Sequence, residues 1–292
     1  RWQAEWVAAR LREAGCHVEL VLINTRGDRQ QVGPIGQIAG GDGVFTKELQ
    51  RSLLAGEIDL AVHSLKDLPT EAISGLVLAA VPARGPSGDV LVSAEYRSLP
   101  ELPAGAVVGT GSLRRRAQLL HRRPDLHMAD IRGNVDTRLA RLQRGEYAAL
   151  VLAEAGLQRL GLEQSISQRL PKTDMLPAVG QGALGIETRS DDAQIRAALA
   201  VIDDPDSHAA VIAERTMLAN LAGGCLAPIG AWARLEAGQL TLSGVVLGAD
   251  GVRRLAAEAR GLEPEILGRQ VADALLAQGA ADLIAASRRL GD

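Results

Sequence analysis

Ala106-Val107-Val108-Gly109-Thr110-Gly111-Ser112-Leu113-Arg114-Arg115-Arg116-Ala117-Gln118-Leu119-Leu120-His121-Arg122 decides the fold. Three apolar residues read as a buried strand, Gly-Thr-Gly-Ser as a tight turn, and the remainder as an amphipathic helix. Ser112 stands where a helix N-cap is expected. Free amides and the helix dipole at such a junction attract anions. An ordinary cap followed by solvated arginines explains the same local sequence equally well.

The pattern recurs on both sides. Downstream, a strand ends near Ile131, Arg132-Gly133-Asn134 opens a helix carrying Val135, Leu139 and Leu142, and 148–152 is again a strand. Upstream, 2–14 reads as a helix with Ala4, Val7, Ala8 and Leu11 on one face and Gly15 as its stop. Residues 18–23 read as a strand, followed by a loop with Thr25-Arg26-Gly27-Asp28. Phe45, Leu49 and Leu53 mark a second helix ended by Gly56. The buried strand 58–63 then runs into Ser64-Leu65-Lys66-Asp67-Leu68-Pro69, and 76–81 and 90–93 are further strands. Helices alternating with apolar strands predict βαβ units and mostly parallel sheets. Residues 177–187 are Gly-rich and then apolar, as a segment crossing back to the first unit would be.

The last third differs. Residues 207–221 form a helix broken by Gly223-Gly224-Cys225. Residues 229–235 and 240–247 alternate like antiparallel strands, Ala249-Asp250-Gly251 signals a hairpin, and 266–277 is an amphipathic helix. There is no internal repeat or low-complexity tract.

The 292 residues suggest two or three compact units. No apolar run approaches the roughly 20 residues that span a bilayer. The opening Arg1-Trp2-Gln3-Ala4-Glu5-Trp6 does not read as a secretory leader. The two cysteines, Cys16 and Cys225, form neither a disulfide framework nor a Cys-x-x-Cys site, which predicts a reducing compartment. A net charge of −3 and 2% aromatic residues argue against a general nucleic-acid binder. Charge is unevenly spread: residues 114–144 hold nine Arg against three Asp, an excess of six. Lysine occurs only as Lys47, Lys66 and Lys172. Compositional bias explains Arg in place of Lys, but not nine cations in one segment. Arg also offers a planar fork suited to carboxylates.

Several residues are candidates for chemistry. Lys66 and Asp67 follow a strand, where ligands of open α/β sheets bind, although a surface ion pair reads the same. Ser112 with Arg114 and Arg115, and Arg132 with Arg138, mark two strand-to-helix junctions with cations. Together they suit a ligand with several carboxylates. Cys225 follows two glycines that would let bulky material approach its sulfur; a small buried core thiol is the plain alternative. The five histidines show no metal-ligand spacing, and no Ser/His/Asp order suggests hydrolysis.

These pieces together resemble the porphobilinogen deaminase family. The matching stretches are His63-Ser64-Leu65-Lys66-Asp67-Leu68-Pro69, Gly109-Thr110-Gly111-Ser112-Leu113-Arg114-Arg115 and Arg132-Gly133-Asn134-Val135-Asp136-Thr137-Arg138. Further along come Leu152-Ala153-Glu154-Ala155-Gly156-Leu157-Gln158-Arg159-Leu160, Leu176-Pro177-Ala178-Val179-Gly180-Gln181-Gly182 and Gly223-Gly224-Cys225-Leu226-Ala227-Pro228-Ile229-Gly230. Each alone is weak; six in the family's order, across nearly the whole chain, are specific.

The resemblance implies two α/β domains like the halves of a periplasmic binding protein, plus a small C-terminal α+β domain with a three-stranded antiparallel sheet. The expected bounds are 1–84 with 180–203, then 88–176, then 205–292. It implies a transferase of tetrapyrrole (porphyrin and heme) biosynthesis, hydroxymethylbilane synthase, acting as a cytoplasmic monomer without metal, nucleic acid or membrane. Four porphobilinogens are joined, each losing ammonia, on a dipyrromethane primer held by Cys225 through a thioether, and water releases the linear tetrapyrrole. Loss of ammonia leaves an electrophilic methylene, which the free α-carbon of the chain's last ring attacks.

Asp67 is the expected catalytic carboxylate, stabilising the developing cation and moving protons. Ser64, Lys66, Thr110, Ser112, Arg114 and Arg115 are expected at the cofactor. Arg132, Arg138, Arg159, Gln181 and Phe45 are expected at the substrate and the growing polypyrrole chain. Some positions depart from the family pattern: Asp42 stands where Lys is usual, Gly111 replaces a usual Ser, and 85–88 has lost charge. Relatives carry a short strand before the first helix, so the chain is expected to lack a strand of its first sheet and to be poorly stable and weakly active or inactive. The competing readings are a non-catalytic binding module for a carboxylate-rich ligand, or an inactive, N-terminally truncated relative.

Overall fold

The computed structural model describes residues 2–23, 44–222 and 227–289, apart from the side chains of Val44 and Phe45. In chain order the principal elements are helix α1 (Trp2–Glu13), α2 (Val44–Leu54), strands β1 (Leu60–Ser64), β2 (Leu76–Ala80), β3 (Asp89–Val92) and β4 (Val107–Gly109). Then follow α3 (Leu113–Arg122), β5 (His127–Ala129), α4 (Val135–Gln143), β6 (Ala149–Ala153), α5 (Glu154–Gln158), β7 (Gln168–Arg169), β8 (Leu184–Arg189) and α6 (Ala193–Leu199). The chain finishes with α7 (Pro205–Asn220), β9 (Ile229–Glu236), β10 (Gln239–Leu247), β11 (Arg254–Gly261), α8 (Pro264–Ala277) and α9 (Ala280–Arg288).

Among the described residues three sheets result, with strand orders β1-β8-β2, β5-β4-β6-β3-β7 and β11-β10-β9. The first differs from the mostly parallel expectation. Strand β8 lies between β1 and β2 and runs antiparallel to both, from Leu60 opposite Thr188 to Ser64 opposite Leu184. Its direction reverses because the chain reaches it on the way back from the second unit. The 177–187 crossover is thereby observed. The apolar stretch 18–23 is not a strand: no strand pairs with it among the described residues, and Leu20, Val21 and Leu22 are exposed.

In the second sheet β4 pairs in parallel with β5 and β6, while β3 is antiparallel to β6 and β7. Its central strands are buried on both faces. Leu91, Val108 and Val151 pack with Leu119 on one side, and Val90, Val92, Leu150 and Leu152 pack with Leu157 on the other. This is why β3 and β6 read as continuous apolar runs rather than alternating ones.

The third sheet is antiparallel throughout and packs on α7 and α8, with Met217, Leu242, Val271 and Leu275 fully buried between them. Several contacts fasten this unit to the others; Arg215 of α7, for one, donates to the Leu68 and Pro69 carbonyls at 2.9 and 2.7 Å. Arg84 donates through Nη1 and Nη2 to the Glu214 carboxylate at 2.7 and 3.1 Å. The same carboxylate accepts from the Gly180 and Ala233 amides, both at 2.8 Å. The β10–β11 hairpin also docks on α3, placing the Gly251 carbonyl 2.9 Å from His121 Nδ1.

Helix ends follow the sequence signals. Ser112, Asn134 and Asp204 cap α3, α4 and α7 through their side chains. Gly15 and Gly56, both at positive φ, follow α1 and α2.

Candidate active site

The site is built where β1 ends and α3 begins. Beyond Ser64 the chain makes one short 3-10 turn, Leu65–Asp67, which buries Leu65 and leaves Asp67 exposed and Lys66 partly buried. Ser64 accepts from Gln3 Nε2 of α1 at 2.5 Å. Across from this turn stands the β4–α3 junction of the second unit. Thr110 is buried there, its Oγ1 accepting from the Ser112 amide at 3.2 Å, while Ser112 Oγ accepts from the Arg115 amide at 3.5 Å. At Gly111 a Cβ would stand 2.9 Å from the Ile131 carbonyl, so the close approach of that strand end accommodates the Ser-to-Gly departure.

Arg114 and Arg115 do not point to solvent. They are 4% and 7% exposed, and both turn inward onto Asp89, which is 1% exposed. Arg114 gives Nη1 to Asp89 Oδ2 at 2.6 Å and Nη2 to Oδ1 at 3.2 Å. Arg115 gives Nε to Oδ1 at 2.9 Å, its Nη2 lies 2.8 Å from the same oxygen as an ion pair, and Nη2 donates to Gln181 Oε1 at 3.5 Å. Gln181 adds Nε2 at 3.0 Å, and the same nitrogen reaches the Ser87 and Gly88 carbonyls. Burial alone would raise the Asp89 carboxyl pKa, but the two guanidiniums outweigh it and pull it down to about 2.

The remaining cations surround this core. Burial lowers the Lys66 ammonium from its ordinary value; the nearby Asp67 and Asp89 oppose that shift and Arg115 and Arg114 add to it. Arg138 is partly buried near Arg115 and donates Nε to the Gly133 carbonyl at 2.7 Å. Arg159, lowered by burial and held up by Asp67, lies 6.0 Å from the Trp2 ring, so α1 faces the end of α5. Arg132 is exposed at the head of α4.

Of the expected site residues, Lys66, Asp67, Arg114, Arg115, Arg138 and Arg159 therefore share one electrostatic neighbourhood, with Ser64, Thr110 and Ser112 at its strand ends. Gln181 is not at an open surface but inside, bonded to Asp89 and to backbone. Cys225, Asp42 and the Phe45 side chain lie outside the described residues. Asp89 is the group the sequence reading overlooked. Its signal was a lone acid heading the fully buried run Asp89-Val90-Leu91-Val92, since a charge there requires partners.

The arrangement suits a polyanion. One buried carboxylate faces two buried guanidiniums and a neighbouring ammonium, leaving positive charge uncompensated. Arg114 Nε is buried with no hydrogen-bond partner. Among the described residues no cluster of His, Cys, Asp and Glu could hold a metal ion. Nor is any helix there long and apolar enough to cross a membrane.

Fold and site thus define an α/β protein with a cation-rich junction between two sheet units and a separate antiparallel C-terminal unit. Residues 1–197 match the family model described as "Porphobilinogen deaminase, dipyromethane cofactor binding domain", and 208–277 match "Porphobilinogen deaminase, C-terminal domain". The chain belongs to the porphobilinogen deaminase family. The porphobilinogen deaminase of Desulforudis audaxviator is 50% identical over 290 residues, covering 98% of this chain and 94% of that one. That of Xanthomonas euvesicatoria pv. vesicatoria is 51% identical over 288 residues, covering 97% and 94%. Among solved structures, a nutrient binding protein from Burkholderia cenocepacia bound to methionine overlays with a TM-score of 0.43 at 14% identity, over 74% of this chain and 89% of that one. That overlay is too loose to bear on function.

Proposed function

We propose that the chain is a hydroxymethylbilane synthase, a transferase that joins four porphobilinogen molecules into a linear tetrapyrrole. The observation that carries this reading is the gathering of Lys66, Arg114, Arg115, Arg138 and Arg159 around Asp67 and the buried Asp89. Each pyrrole brings an acetate and a propionate, and the uncompensated positive charge suits them.

The dipyrromethane cofactor, when bound, supplies the primer pyrrole for the first condensation. The residues present fit it: Arg114 carries an orphaned buried Nε, and Thr110, Ser112 and the α3 amides add neutral donors. Lys66, Ser64, Thr110, Ser112, Arg114 and Arg115 would hold its carboxylates, and Cys225 would anchor it through a thioether. Arg132, Arg138 and Arg159 would take the carboxylates of incoming porphobilinogen and of the lengthening chain. Each addition breaks one C–N bond, releases ammonia and forms one C–C bond. Asp67 is exposed in this neighbourhood, where it can offset the positive charge that develops as ammonia leaves and accept the proton lost from the attacking pyrrole carbon. Water ends the sequence by releasing the product.

The three sheets support the domain bounds 1–84 with 180–203, 88–176 and 205–292. A monomer in the cytoplasm, with porphobilinogen and the polypyrrole as its partners, follows from the resemblance. The deciding experiment is intact mass together with turnover. The protein given porphobilinogen should carry two pyrrole units above its sequence mass, consume further substrate and release hydroxymethylbilane. A reversible carboxylate binder would bind the substrate but show neither the added mass nor the product.

A further inference from the structure

Two arginines expected to grip ligand carboxylates are instead almost fully buried and already hold a carboxylate of the chain itself. Their donors can be followed one by one. Arg114 Nη1 uses both hydrogens, on Asp89 Oδ2 and on the Leu176 carbonyl, each at 2.6 Å. Arg115 gives Nε to Asp89 Oδ1, with Nη2 ion-paired to the same oxygen, and gives Nη2 to Gln181 Oε1 at 3.5 Å and Nη1 to the Val151 carbonyl at 3.2 Å. What remains is Arg114 Nε and the second hydrogens of Arg114 Nη2 and Arg115 Nη1. A guanidinium rotates freely about its stem unless its fork is occupied. Here the inner side of each fork is taken by Asp89, which decides where the remaining hydrogens point.

Asp89 also connects the site to the crossovers. It heads β3, directly after the outgoing segment 85–88, and its Oδ1 accepts from Gln181 of the returning segment at 3.0 Å. Gln181 Nε2 bonds the Ser87 and Gly88 carbonyls at 2.8 and 3.1 Å, and Gly85 donates its amide to the Gly182 carbonyl at 3.2 Å. One carboxylate therefore joins both passages of the chain between the first two units to the first turn of α3.

We infer that Asp89 is a positioning residue: an internal carboxylate that occupies the inner sides of the Arg114 and Arg115 forks and fixes their remaining donors, and the positive charge they carry, toward the carboxylates of the primer. This rests on the function proposed above. Asp89 does not touch the ligand; it acts through the two arginines. Removing it leaves Arg114 held through the Leu176 carbonyl and Arg115 through the Val151 carbonyl and Gln181, loosening both forks, and opens a carboxylate-sized vacancy lined by guanidinium nitrogens.

The vacancy supplies the test. Wild type, Asp89→Ala and Asp89→Asn are incubated with porphobilinogen in sodium formate or in sodium chloride of equal ionic strength. Intact mass reads primer assembly and circular dichroism reads the fold. Wild type should carry the added mass. Folded Asp89→Ala should assemble the primer more slowly by on the order of tenfold or more, because misaimed groups lose that much. Formate, which restores a carboxylate between the forks, should recover much of the rate, and chloride should not. Asp89→Asn should be slowed and not recovered, because its amide fills the space without the charge. Wild-type assembly in both variants overturns the inference. So does equal recovery by chloride and formate, or failure of both variants to fold even with formate, which would make Asp89 structural only. Wild type without the added mass would sink the functional reading itself, an outcome distinct from all of these.

Discussion

Asp89 receives Arg114 through two nitrogens, at 2.6 and 3.2 Å, inside a site where both residues are buried. This relationship gives the site a titration signature. The folded carboxyl lies at about 2, below the unfolded value near 3.9. A depressed carboxyl contributes stability that is present above its unfolded pKa and is lost as pH falls through its folded pKa. Stability should therefore fall between about pH 4 and pH 2, by about 2 kcal/mol from this group. Urea unfolding across that range should show the loss in wild type and a shallower dependence in Asp89→Asn. Equal slopes would mean that other acids carry the acid sensitivity.

Glu214 is fully buried and compensated by Arg84 and by the Gly180 and Ala233 amides. Glu214→Leu leaves the Arg84 cation and two amides without their acceptor. A broken buried pair costs about 3–5 kcal/mol, a large part of a total stability of about 5–15 kcal/mol. Thermal unfolding should show a large drop in Tm, from the unpaired Arg84 and Gly180 across the units and from the Ala233 amide within the C-terminal unit. An unchanged Tm would show that the units hold together without Glu214.

Gly251 and Gly238 share φ +77, but only Gly251 meets another element. A Cβ at Gly251 would stand 2.7 Å from the Ala117 carbonyl, while nothing lies within 4 Å of one at Gly238. Both Ala variants bear the left-handed backbone strain of about 1–3 kcal/mol. Gly251→Ala should be the less stable of the two, because its hairpin must also lift from α3. Equal chemical denaturation midpoints would mean that the docking contributes nothing.

Asp67→Asn preserves size and removes the charge at the end of the 3-10 turn. Turnover should fall by on the order of 10²-fold or more, with the circular dichroism spectrum unchanged. Near-normal turnover would reduce Lys66-Asp67 to a surface pair.

Cys225→Ser should yield a protein without the two-pyrrole mass and without turnover, whereas Cys16→Ser should keep both. Cys16 is partly buried among Val7, Leu11 and Val18 on the first unit, in the apolar packing of α1. An adduct mapped to Cys16 would overturn the assignment.

Much of this molecule is set by local sequence. The strand–turn–helix grammar at Gly109-Thr110-Gly111-Ser112 and at Arg132-Gly133-Asn134, the capping side chains and the antiparallel alternation after Ile229 all depend on neighbours a few residues apart. The order of six motifs likewise identifies the family without coordinates. Tertiary structure alone decided three other matters. It reversed β8 between β1 and β2, because strand direction follows from where the chain comes back. Among the described residues it gave the apolar stretch 18–23 no strand partner, and a strand needs a partner and not only the right residues. It also turned Arg114 and Arg115 inward onto Asp89, 25 and 26 residues away. A row of arginines at a helix start looks alike in sequence whether it faces solvent, a ligand or a buried acid. Only the folded chain brings one carboxylate into the low-dielectric space between two guanidiniums, where desolvation makes their pairing obligatory.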